Sequence, residues 1–219
     1  MVNSASDRPQ SSRRQWWGWW GAGVAITILL VAWVFLSPFI LPGDTGSSGQ
    51  PLTVDGYPTS VSATGDDGRT RTLSITLEDG QEPDLDNIRP GDRLVVTGSG
   101  FDSSRGIYVA ICQVPASVDT RPGPCLGGVP ELDGGGAGTE TVEWSPSNWI
   151  NQEWAWRLFG ARSYDDRDRG TFRAFILVPP ASEDGLDCHD VSCGVFTRND
   201  HTALDNRMQD LYLPVRFSQ

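Results

Sequence analysis

Lysine is absent, and each of the 17 basic residues is an arginine. That pattern reads as the coding bias of a high-GC genome and imposes nothing on the fold. It leaves the one glycine run, Gly134, Gly135 and Gly136, without the lysine or the strand-to-helix setting of a phosphate loop. Histidine occurs twice, as His189 and His201, so a Ser/His/Asp arrangement has to use one of them. No G-x-S-x-G elbow accompanies either. His189 lies between Cys188 and Cys193, and His201 lies in the polar stretch TRNDHTALDNR, so both read as loop residues. Two acidic groups, Asp165, Asp166 and Asp168, then Asp184, Asp187 and Asp190, lack the spacing of a calcium-binding EF-hand loop. The sequence therefore predicts neither an enzyme nor a metal or cofactor protein.

Positive charge is scarce as well: 28 acidic residues against 17 basic ones give a net charge of −11. Before Gly21 the charges are Asp7, Arg8, Arg13 and Arg14, net +2, which leaves −13 for the remainder. An acidic body repels nucleic acid and anionic lipid, which excludes nucleic acid as a partner. Keeping an exported domain soluble is reason enough for that charge.

Long apolar runs are missing with one exception. Residues 21–41 (GAGVAITILLVAWVFLSPFIL) carry no charge, and as a helix they measure about 30 Å, the hydrocarbon thickness of a bilayer. Trp16, Trp17, Trp19 and Trp20 stand at the entrance of the run, where indole rings favour the membrane interface, and Arg13 and Arg14 stand just outside it. The positive-inside rule then gives a cytoplasmic tail over 1–15, a transmembrane helix over 16–42 and an extracytoplasmic remainder. A cleaved signal would be shorter and end on small residues, and no A-x-A pattern follows the run. The stretch SRRQWW over 12–17 also resembles a twin-arginine export signal, a reading compatible with an uncleaved anchor.

What the chain does have in quantity is punctuation, 25 glycines and 15 prolines, which favours short strands over helices. Residues 43–57 are rich in Gly, Ser and Pro and read as a flexible tether. Strand signals follow at 70–77, where TRTLSITL alternates, and at 94–97, 107–112, 139–144, 171–178, 192–197 and 211–217. Seven short strands predict an all-β fold, a seven-stranded antiparallel sandwich of immunoglobulin type over 58–219. Residues 146–169 break the rhythm as an insertion carrying Trp149, Trp154, Trp156 and Phe159. Ser147 or Asn148 is placed to cap a short helix running through Ala155. These aromatics read either as a ligand or partner contact or as the filling of a small local core.

Four cysteines, Cys112, Cys125, Cys188 and Cys193, form an even set that suits an oxidising compartment. Pairing within each couple is the simplest of three connectivities. Neither couple has zinc-ligand spacing. The combination of IRPGDRLVVTGSGF, YVAICQ with a second cysteine shortly after, LDCHDVSC and a closing LPVRF resembles the neocarzinostatin family of actinobacterial proteins. It is similar also to the immunoglobulin-like modules that actinobacteria attach to envelope proteins, some of them beside haem-transport domains. The ending CGVFTRNDHTALDNRMQDLYLPVRF looks closest to those envelope modules.

The resemblance covers about residues 70–217. It implies a seven-stranded sandwich with the disulfides Cys112–Cys125 and Cys188–Cys193. In the antibiotic-carrier branch it implies a cleft for an apolar enediyne, lined by aromatics and by the first disulfide. This chain departs from that branch in having Val114 after the first cysteine and in the segment from Trp149 to Phe159. The expected function is a single-pass binding module of the cell envelope, held in the lipid bilayer and meeting a protein partner, as an accessory subunit of a membrane complex would. The alternative is a carrier that sequesters an apolar small molecule, an enediyne-like antibiotic or haem.

Overall fold

The computed structural model describes residues 26–31, 45–127, 143–183 and 185–219. The chain divides into two units, Met1–Gly43 and Asp44–Gln219. In the first, residues 26–31 are helical with exposed apolar side chains. No helix among the described residues is long and apolar enough to cross a membrane. The rest of the span expected over 16–42 lies outside the described residues, as do Arg13, Arg14, Trp16, Trp17, Trp19 and Trp20.

The second unit is mostly β, with ten strands among the described residues: β1 (Ser60–Thr64), β2 (Thr70–Leu77), β3 (Arg93–Ser99), β4 (Ile107–Gln113), β5 (Ser147–Ile150), β6 (Phe172–Leu177), β7 (Ser182–Glu183), β8 (Leu186–Asp187), β9 (Cys193–Asn199) and β10 (Tyr212–Val215). One helix, α1, spans Trp154–Arg157. One sheet has the order β1-β2-β3-β6, a second has β10-β9-β4-β5, and β7 and β8 form a separate hairpin. All strand pairs within the sheets are antiparallel.

Alternation explains the layering. Leu73 and Ile75 of β2, Leu94 and Val96 of β3, and Ala174 and Ile176 of β6 point to one side, because successive side chains on a strand face opposite ways. They meet Ile107, Val109 and Ile111 of β4, Val195 of β9 and Leu213 and Val215 of β10 in a single buried core. Burial of each large side chain there contributes roughly 1.5–3 kcal/mol. A one-residue slip of any strand would turn its apolar set to solvent, so the core also fixes the register.

Six of the seven expected strands are present. The seventh, at 139–144, lies outside the described residues as far as 142, and Glu143 and Trp144 are not in a strand. The other strands carried weak signals. β1 is SVSAT, small and polar, β7 and β8 have two residues each, and β5 has four.

β5 also corrects the expected insertion. Ser147 and Asn148 do not cap a helix. They pair with Ala110 and Val109 of β4, and the Asn148 side chain is committed elsewhere. Its Nδ2 donates to the Phe175 carbonyl at 3.0 Å and its Oδ1 accepts the Phe175 N–H at 2.9 Å. The helix is limited to one turn after Glu153, whose side chain makes no capping bond.

A second correction concerns the expected tether. From Ser47 onward it packs on the sandwich. Ser48 and Gln50 are buried, and Leu52 and Val54 cover an apolar cluster of Ala110, Cys112, Phe196 and Tyr212 on the outer face of the second sheet. That face is too apolar to be left wet, and the glycine-rich segment is its cover. Gln50 acts as Asn148 does, its Nε2 donating to the Tyr212 carbonyl at 2.7 Å and its Oε1 accepting the Tyr212 N–H at 2.8 Å.

These contacts close three of the four edges of the two four-stranded sheets. On β10, Gln50 holds Tyr212, Pro214 has no N–H to offer, and Arg216 continues the pairing by donating to Leu85 and accepting from Ile88. On β6, Asn148 and Ser145 hold Phe175 and Leu177. On β5, Arg162 donates to Trp149 and accepts from Asn151, both at 2.8 Å.

Candidate functional site

The aromatic residues of 146–169 assemble around the far end of β4. Tyr108 and Trp149 are directly opposed across the β4–β5 ladder, the position at which cross-strand side chains interact, and their rings are 5.9 Å apart. The loop after β9 supplies the rest. The His201 ring lies 5.5 Å from Trp149 and 5.0 Å from Trp156, edge-on to both, and its Nδ1 is 3.1 Å from the Tyr108 hydroxyl. Trp156 packs 5.4 Å from Trp149.

Under this layer lies Asp200, fully buried. Its Oδ2 accepts the Trp149 indole N–H at 3.0 Å and the Asn151 amide at 2.9 Å, and its Oδ1 accepts the backbone N–H and hydroxyl of Thr202 at 2.9 and 2.6 Å. Burial acts to raise the Asp200 pKa. The donors from Thr202, Trp149 and Asn151 outweigh it and hold the carboxyl below its ordinary value. Gly106 makes room for this network: a Cβ there would lie 1.9 Å from Asp200 Oδ2 and 2.3 Å from Asn151 Nδ2.

The four aromatics singled out in the sequence therefore divide. Trp149 and Trp156 are half-buried and form a base with Tyr108 and His201. Trp154 and Phe159 stand out from it, 68% and 53% exposed, with Leu158 at 68% beside them. Trp154 and Leu158, four residues apart, share one face of the turn. Phe159 rests 6.2 Å from Trp156. Both readings of the segment are thus realised at different residues, a local core below and an uncovered apolar tip above. The acidic run beside it is a turn, in which Asp166 accepts from the N–H groups of Asp168 and Arg169 and Asp165 pairs with Arg173.

Both disulfides are present, Cys112–Cys125 and Cys188–Cys193. Cys112 shares the outer face of β4 with Tyr108 but lies four residues along, about 13 Å away at 3.3 Å per residue. The loop it closes sends Arg121 to the carbonyls of Asn199 and Leu204, which ties the loop to the His201 region. Arg198 stacks over Tyr108 at 5.9 Å. Sequence reading missed Tyr108, Asp200 and Asn151, and treated His201 as an isolated loop residue. Only the outward phase of Tyr108 on a clear strand was there to be read.

Close by, Asp210 and Arg207 form a buried pair at 2.8 Å. Burial outweighs the arginine's attraction and pushes the Asp210 carboxyl up to about 6. A raised carboxyl pKa means that the folded chain holds the proton more tightly than the unfolded one. This group's contribution to stability therefore falls as pH rises from about 4 to about 6 and is level above. In urea unfolding across that window, the stability of wild type minus that of Asp210→Asn should decline with pH. A difference that stays flat or rises would show that the carboxyl titrates elsewhere.

A described concavity lies away from the tryptophans. A groove of about 1030 Å³ lies at the second disulfide, with Leu52, Val54, Val114, Tyr212 and Phe217 among its walls. His189 lies there against Phe217 at 6.2 Å. Among the described residues no group of three or more His, Cys, Asp or Glu side chains converges. No family model, curated protein or solved structure matches this chain.

Proposed function

We propose that this chain is an extracytoplasmic binding module of the cell envelope, anchored by its N-terminal apolar run and contacting a protein partner through Trp154, Leu158 and Phe159. The observation that carries the reading is the exposure of these three side chains on a base of Trp149, Trp156 and His201 that the Asp200 network holds in place. Exposed aromatics on a preorganised support are the pattern of binding hot spots, each worth 2 kcal/mol or more when truncated. Two disulfides support an oxidising compartment.

The strand order supports the immunoglobulin-like part of the proposal. Without β1 and the β7–β8 hairpin, β2, β3 and β6 face β5, β4, β9 and β10, a three-on-four division of seven strands. The two local disulfide loops support the neocarzinostatin resemblance.

The test is cross-linking of the full-length chain in its native membrane, wild type against the double variant Trp154→Ala/Phe159→Ala. A specific cross-linked product should fall at least tenfold in the variant while the melting curve stays unchanged. Equal capture by both proteins would sink the proposal.

The second reading is carriage of an apolar small molecule, which the groove at the second disulfide would hold against Leu52, Val54, Val114 and Phe217. Its discriminating measurement is tryptophan fluorescence against micromolar haem or a polycyclic aromatic. No quenching rejects it.

A further inference from the structure

The fourth sheet edge differs from the three closed ones. Among the described residues, the outward N–H and C=O groups of β1 make no backbone hydrogen bond. Its phase follows from the ladder with β2. Thr59 accepts from Ile75 across that ladder, so Val61 and Ala63 also bond to β2, and the N–H and C=O groups of Ser60 and Ser62 point away from it. Val61 and Ala63 pack against the core yet remain partly exposed, so the core itself is uncovered at this edge. Edge strands in soluble proteins usually carry lysine, proline, a bulge or an inward charge that discourages pairing. Residues 58–65 (PTSVSATG) contain no charge, and the one proline precedes the strand.

We infer that β1 is a docking edge for a second copy of this chain, the two β1 strands pairing antiparallel about a two-fold axis at Val61. Three features select that occupant and that register. Gly49 lies so close to the Thr64 carbonyl that a Cβ on it would be 2.2 Å away, which leaves Ser60 and Ser62 as the free residues. An axis at Val61 sets Ser60 opposite Ser62 of the second copy, so both residues bond on both copies, about four backbone hydrogen bonds in all. It also brings the two partly exposed Val61 side chains together and continues the core across the axis. With a net charge of −11 most faces of this molecule repel a copy of themselves, and an uncharged strand is one that does not. So small an interface gives a weak, concentration-dependent dimer.

The chain has no free cysteine among its described residues, and all four of its cysteines are paired, so one introduced thiol reports its own surroundings. The experiment is mild oxidation of full-length Val61→Cys, Thr64→Cys and Ser117→Cys in detergent, with micelles in excess over protein. Opposed residues at the axis are about 4.5 Å apart between Cα atoms, and the two Thr64 residues are about 20 Å apart. Val61→Cys should form a disulfide-linked dimer at least tenfold faster than either control. Adding Ser62→Pro, which removes an outward N–H and leaves the β2 ladder intact, should slow it to the control rate. Equal rates at positions 61, 64 and 117, or a Val61→Cys rate unmoved by Ser62→Pro, overturn the inference.

Discussion

Asp200→Ala should destabilise the domain by roughly 2–4 kcal/mol and dismantle the aromatic site in the same step. The substitution leaves the buried Asn151 amide and the half-buried Trp149 indole without their acceptor and turns the donors of the exposed Thr202 to water, and unsatisfied buried donors cost more than the hydrogen bonds contributed. Urea unfolding measures the loss. Indole fluorescence separates it from a general softening, because Trp149 should move to a wetter environment while the protein is still folded. Asp200→Asn keeps the volume and about half of the accepting capacity, so it should fall between wild type and alanine.

The pH dependence of this contribution carries the opposite sign to that of Asp210. The Asp200 pKa is lowered on folding, so its stabilisation is complete above the ordinary carboxylate range. It is lost as pH falls through the folded value. A change below about 1 kcal/mol in Asp200→Ala would mean that water replaces the carboxylate at no cost, and the base under the tryptophans would not be a built support.

Removing the first disulfide, as Cys112→Ser/Cys125→Ser, should cost about 3 kcal/mol, and removing the second, as Cys188→Ser/Cys193→Ser, about 2. The ranking follows from sequence separations of 13 and 5, because the longer loop has more freedom to regain when the chain unfolds. The first bridge also holds a stretch that continues the sheet. Gln113 donates to Pro124 and Leu126 donates to Ile111, where β5 no longer reaches along β4. Loss of that bridge should therefore loosen Arg121 and the loop of His201 with it. Thermal unfolding of the two double variants under identical conditions gives the comparison, and the reverse order would place the stabilising contacts at the second loop instead.

What was legible in the sequence follows from where the signal is made. β2 was readable to its ends because Leu73, Ile75 and Leu77 alternate with polar residues on a strand with one buried face. β4 was readable because Ile107 to Cys112 is an almost unbroken apolar run, and β9 because the buried Val195 and Phe196 favour a strand, although its far end, Thr197 to Asn199, is polar. β5 was not, since Ser147, Asn148 and Trp149 carry no alternation and the first two resemble helix caps. What makes them a strand is pairing with β4 and the neighbouring β6, distant in sequence, where Phe175 takes both ends of the Asn148 amide. The 43–57 segment failed for the same reason, because its composition says coil and only Tyr212 says that Gln50 is clamped. At the site, the aromatics announced themselves by size. The carboxylate that fixes them is one of 28 acidic residues, and nothing in a linear string distinguishes it from the solvated ones.

The two clamps by Gln50 and Asn148 also expose the molecule to chemical ageing. Each amide must give a proton with one atom and receive one with the other, and hydrolysis to the acid leaves a side chain that only receives. An aspartate at 148 would face the Phe175 carbonyl oxygen with another oxygen, and a glutamate at 50 would do the same to Tyr212. The loss of one nitrogen atom, adding about one mass unit, would release a sheet edge, so the working lifetime of this domain is bounded by how well those two amides are kept dry.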